Sequence, residues 1–123
     1  MNLEEFLTLY PHKIKDLLLA GRDYLFENVP GLQEEIDLPS KILVYRVADG
    51  MKSIVFTLIP SKKTVKLGFY RGRELDDPVH LMEGRGKVHS TIPLNAALFS
   101  NADFHALVDQ AIVKARARVS PER

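Results

Sequence analysis

A chain of 123 residues has the length of one domain, residues 1–123, with a single core. Hydrophobic residues make up 46% and charged residues 27%, and the formal net charge is +1, so nothing global draws the chain to nucleic acid or an anionic membrane. The absence of cysteine excludes disulfides, thiolate nucleophiles and thiolate zinc sites, and no apolar run is long enough to cross a bilayer.

The opening "MNLEEFLTLY" places Glu4 and Glu5 where a signal peptide carries positive charge, so the expected location is the cytoplasm. Asn2 and Glu5 have the spacing of a capping pair and predict a short first helix. In "HKIKDLLLAGRDYLFEN", Ile14, Leu17, Leu18 and Leu25 fall on one stripe, with Gly21 left open for a close neighbour. Pro11 suits the first turn of that helix, and Pro30 ends it. "GLQEEIDLPSK" offers at most one helical turn, with Leu32 and Ile36 on the same side.

Strand signals follow. "KILVYRVA" is rich in β-branched residues and runs into Asp49-Gly50, a hairpin dipeptide. "KSIVFTLIP" and "TVKLGFYR" alternate apolar with other residues. The pattern directs Leu43, Tyr45, Val47, Ile54, Phe56, Leu58, Val65, Leu67 and Phe69 inward. It directs Val44, Arg46, Val55, Thr57, Ile59, Lys66, Tyr70, His89 and Thr91 outward. "KVHSTIPL" reads as a further strand with Val88 and Ile92 inward. Phe104, Leu107, Val108, Ala111, Ile112 and Ala115 keep helical period in a last helix that Ser100 or Asn101 can cap. The expected fold is α+β, an antiparallel sheet of about four to five strands with N- and C-terminal helices on one face, a two-layer sandwich.

Between the last strands lies "RGRELDDPVHLMEGRGK", Arg71 to Lys87. A P-loop needs glycine where Leu81 stands and a hydroxyl where Val88 stands. A dinucleotide fingerprint needs glycine at His89. A backbone nest at Gly84-Arg85-Gly86 beside Lys87, or a metal held by Asp76, His80 and Glu83, is weighed against a structural turn, which accounts for more residues. In that turn Asp77 caps a miniature helix, Pro78 takes its first position, Leu81 and Met82 tuck inward, and Gly84 ends it with positive φ. No serine stands in a nucleophile elbow, and His12, His80, His89 and His105 are scattered along the chain.

"LGFYRGRELDDPVHLMEGRGKVHSTIPL" resembles the signature of the YdhG-like family. The matching positions are Leu67, Gly68, Phe69, Gly72, Leu75, Asp77, Pro78, Met82, Glu83, Gly84, Gly86 and Lys87. The chain departs from that pattern at Ser90, where an arginine is usual, and before the first strand, where Glu35 and a proline remain without the aromatic spacing. The resemblance implies a frataxin-like fold. It also implies, for some members, weak iron holding by acidic residues of the first long helix, for which Asp16, Asp23 and Glu27 are the matching candidates here.

The leading functional expectation is a cytoplasmic, non-catalytic binding or adaptor domain without a cofactor, engaging a protein partner or a second copy. Its expected surface is the outward sheet face with Arg46, Val55, Lys66, Tyr70, Arg71, Glu83, Lys87 and His89. The alternative is a frataxin-like iron chaperone. A third reading is an enzyme using Tyr70, Arg71, His80 and Glu83.

Overall fold

The computed structural model describes residues 2–83 and 89–119. Helices start where a side chain can satisfy the unpaired N–H groups of a first turn. Asn2 and Glu5 form a reciprocal capping box at α1, Leu3–Leu7, with the Glu5 N–H donating to Asn2 Oδ1 over 2.9 Å. The helix α2, His12–Asn28, begins behind Pro11 and ends at Val29, which is extended ahead of Pro30. At α3, Ala102–Val119, Asn101 Oδ1 accepts the Phe104 N–H over 2.9 Å.

The strands β1 (Gln33–Asp37), β2 (Ile42–Arg46), β3 (Ile54–Pro60), β4 (Val65–Tyr70) and β5 (His89–Pro93) lie in chain order as one antiparallel sheet. Pairing sets Leu43 opposite Leu58, Tyr45 opposite Phe56, Phe56 opposite Phe69 and Leu67 opposite both Leu58 and Ile92. This apolar layer meets the buried stripes of α2 and α3, which share one face of the sheet and touch through Tyr24 and Phe104. Each Leu or Phe removed from water here contributes about 1.5–3 kcal/mol. Gly21 permits the close seat of α2, because a Cβ there would lie 2.8 Å from Leu94 Cδ1 and 3.5 Å from Leu58 Cδ2. The fold is therefore the α+β sandwich that the periodicity predicts.

The structure departs from expectation locally. "QEEID" is not a helical turn but the edge strand β1, drawn into the sheet by pairing with β2. Val47 lies beyond the end of β2, and the Asp49-Gly50 connection is longer than a two-residue hairpin, since Met51–Ser53 adds a 3-10 turn. The register shifts between Tyr45 and Arg46, where Arg46 pairs with Ile54 and Val55 becomes an extra residue. That bulge breaks the alternation, and Val55, expected outward, is 1% exposed and part of the core. The outward residues Val44 and Thr57 are buried as well.

The miniature helix after Asp77 does not form. Glu83 is instead drawn into an antiparallel bridge with Thr91, its N–H donating to the Thr91 carbonyl over 2.7 Å. Asp77 still organises the turn: its carboxylate accepts the Leu81 N–H and the Met82 N–H, each over 2.8 Å. Met82 is buried as expected, and Leu81 packs against the core. The expectations for Gly84 and Val88 lie outside the described residues. Among the described residues, no helix is long and apolar enough to cross a membrane.

Candidate functional site

The sheet face turned from the helices carries most of the surface residues singled out in the sequence, but it is largely self-satisfied. Arg46 pairs with Glu35, Lys66 with Glu83 at 3.6 Å, and Arg71 with Glu74 at 3.1 Å. Arg118, reaching from the last turn of α3, places its guanidinium 5.4 Å from the centre of the Tyr70 ring and donates to the Ile54 carbonyl over 3.1 Å. Burial depresses the Arg118 pKa below the usual guanidinium value. Val55 lies in the core, 1% exposed, rather than on this face, which corrects the choice of Val55 as a contact residue. Lys87 and the His89 side chain lie outside what is described.

A second polar cluster joins α2 to the sheet edge. Glu34 Oε2 accepts from Arg22 Nε over 2.7 Å and from the Tyr45 hydroxyl over 2.6 Å. The Phe26 ring covers it, 5.0 Å from the Arg22 guanidinium and edge-on to Tyr45. Burial first, and then the bond to Glu34, raise the Tyr45 phenol above the usual tyrosine range. The hydrogen bond to Glu34 likewise raises Arg22. Glu34 Oε2 thus ties α2 to β1 and β2 through Arg22 and Tyr45, and the cluster serves as a lock between elements.

The groove between α2 and α3 is different in kind. It is a shallow, solvent-open groove of about 500 Å³ lined by Ala20, Asp23, Tyr24, Glu27, Asn28, Phe99 and His105. Its floor is aromatic: the Tyr24 and Phe99 rings lie 5.4 Å apart, and Tyr24 also packs on Phe104. The Tyr24 hydroxyl lies 2.8 Å from His105 Nδ1, while His105 Nε2 lies 3.6 Å from Asp109 Oδ2. Burial, and then the charge of Asp109, raise the Tyr24 phenol. Asp23 and Glu27 rise one helical turn apart beside this floor and have no ion-pair partner among the described residues.

No protein-family model, no curated protein and no solved structure matches the chain.

The sequence candidates are thus brought together only in part. Asp23 and Glu27 share the groove, but Asp16 pairs with His12 at 3.3 Å a helix turn or two away. Among the described residues no group of three or more His, Cys, Asp or Glu side chains is placed to hold a metal ion. Asp76, His80 and Glu83 are likewise not gathered: Glu83 sits on the bridge to β5, and the Asp76 backbone is clamped by Gln110, whose Oε1 accepts its N–H over 2.7 Å. Tyr24, Phe99 and His105 were not legible as a site, since Tyr24 and His105 lie 81 residues apart and only the packing of α2 on α3 joins them.

Proposed function

We propose that the protein is a small, non-catalytic binding domain that receives a lysine or arginine side chain of a protein partner in the groove between α2 and α3. The observation that carries this reading is the pairing of Asp23 and Glu27, two carboxylates with no ion-pair partner among the described residues, with the aromatic floor of Tyr24 and Phe99. Carboxylates attract the charge and ring faces attract the cation and its methylene stem. Catalysis fits less well, because a phenol raised by burial is a poor base or nucleophile. Both imidazole nitrogens also face protein groups rather than the groove.

Magnitudes favour a macromolecular partner over a free amine. Two exposed ion pairs of about 0.2–1 kcal/mol each and a cation–π contact of about 0.5–1 kcal/mol give at most about 3 kcal/mol. Millimolar affinity already takes about 4 kcal/mol. A basic side chain presented by a protein needs only to be one contact among several.

The resemblance to the YdhG-like family is consistent with a binding role and supplies the second reading, a frataxin-like iron chaperone. The two carboxylates Asp23 and Glu27, one helical turn apart on the groove wall, are the observation that favours it. Titration with ferrous ion separates the two, since a micromolar site lost in Asp23→Asn/Glu27→Gln supports iron.

The basic-partner reading is tested by fluorescence anisotropy with a labelled lysine-rich peptide and its glutamate counterpart. Selective binding of the basic peptide, weakened about tenfold (~1.4 kcal/mol) in Asp23→Asn/Glu27→Gln, is expected. Equal binding by wild type and variant contradicts the proposal.

A further inference from the structure

The outermost stripe of α3, directly opposite its buried face, reads Ala102, Ala106, Asp109, Val113 and Ala117, all exposed. Val113 is 68% exposed, the most open large apolar side chain among the described residues. One turn and a half before it, Ala106 and Gln110 border a hollow of about 210 Å³ closed on its other side by Pro78 and Val79. Val79 is itself 51% exposed. This loop is held rigidly, by the Asp77 carboxylate from within and by the Gln110 amide, which both accepts from Asp76 N–H and donates to its carbonyl. A protruding apolar side chain and a preformed apolar hollow therefore sit on one helix face.

Charge is distributed along the same face. Asp76 and Asp103 border the hollow near the N-terminal end of α3, whereas Lys114 follows Val113 toward the C-terminal end. A helix face that is acidic at one end and basic at the other is complementary to a copy of itself turned antiparallel.

We infer that this face of α3 is a self-association surface, on which two copies pack their α3 helices antiparallel about a two-fold axis near Asp109 and Gln110. In that arrangement Val113 of the partner subunit enters the hollow beside Ala106 and Val79, and Ala117 of the partner subunit lies over Ala102. Lys114 of the partner subunit comes to the flank that carries Asp103. The two-fold repeats every contact, so each knob finds a hollow and each Asp103 flank a Lys114, while the two Asp109 carboxylates near the axis each lie 3.6 Å from His105 Nε2 of their own chain. One helix face and a loop lie at the small end of stable interfaces, so the dimer forms at high micromolar protein rather than at nanomolar. This surface uses neither Asp23 nor Glu27 and stands independently of the proposed partner groove.

Sedimentation velocity of the full chain from about 10 µM to 1 mM tests the inference. A reversible monomer–dimer equilibrium is expected. Val113→Glu, at an exposed position that leaves the fold intact, weakens association about tenfold or more. Asp103→Lys and Lys114→Glu each weaken it, and the double charge swap recovers it. A wild type that stays monomeric throughout, a dimer unaffected by Val113→Glu, or a charge swap without recovery overturns the antiparallel α3 dimer.

Discussion

Asp77 is one of few buried polar side chains among the described residues, and both of its carboxylate oxygens accept backbone N–H groups. Removing it strands two donors, one of them fully buried, so Asp77→Ala costs about 2–3 kcal/mol, more than the ~1 kcal/mol of a surface cap. Urea midpoints measure the loss. Gly72 and Gly21 separate two kinds of close approach. A Cβ at Gly72 would lie 2.7 Å from both Cβ and Oγ of Ser90, a buried residue fixed in β5, so Gly72→Ala costs about 1–3 kcal/mol. At Gly21 the obstacle is the end of the Leu94 side chain rather than a fixed backbone or Cβ, and alanine gains about 1 kcal/mol of helix propensity, so Gly21→Ala is nearly neutral by the same assay. Tyr45 links the core to pH. Its phenol is raised in the folded protein, so above about pH 10 the unfolded chain loses that proton first and stability falls by up to about 1.4 kcal/mol per pH unit. Tyr45→Phe flattens the decline between pH 9 and 11 without abolishing it, because Tyr10 and Tyr24 are raised too.

The elements differ in how far the local sequence declares them. The stripes of α2 and α3 carry their own evidence in helical period, and the buried residues of α3 are those the period selects. The strand β1 does not: glutamate-rich "QEEID" favours helix by propensity and becomes a strand through distant partners. Glu34 is taken by Arg22 and Tyr45, and Glu35 by Arg46, each 11 or 12 residues away. The bulge at Val55 was illegible for the same reason, since it arises from the register against β2 rather than from any residue preference. The strand's dependence is asymmetric. Glu34→Ala leaves a largely buried guanidinium and phenol without an acceptor and costs about 1.5–3 kcal/mol, with faster amide exchange over Gln33–Asp37. Glu35→Ala breaks a pair whose carboxylate side is mostly exposed and costs below about 1 kcal/mol.

For the whole molecule, the layered architecture was legible because alternation in the strands and period in the helices point to a common core. The groove was not, because Asp23, Tyr24 and Glu27 come from α2 while Phe99 and His105 come from the other end of the chain. Asp23 and Glu27 could be placed on one stripe from sequence, yet nothing in α2 announces Phe99 or His105 as their neighbours. The same separation explains why the outward sheet face looked like the better partner surface: Arg118 and its contact with Tyr70 enter only once α3 is docked. Chemical-shift mapping with ¹⁵N-labelled protein and an unlabelled lysine-rich peptide tests the central claim most directly. Perturbations concentrated on Asp23, Tyr24, Glu27, Asn28, Phe99 and His105, and lost in Asp23→Asn/Glu27→Gln, are the result the groove predicts. Perturbations centred instead on Arg46, Lys66 and Tyr70, or spread evenly over the surface, would contradict it.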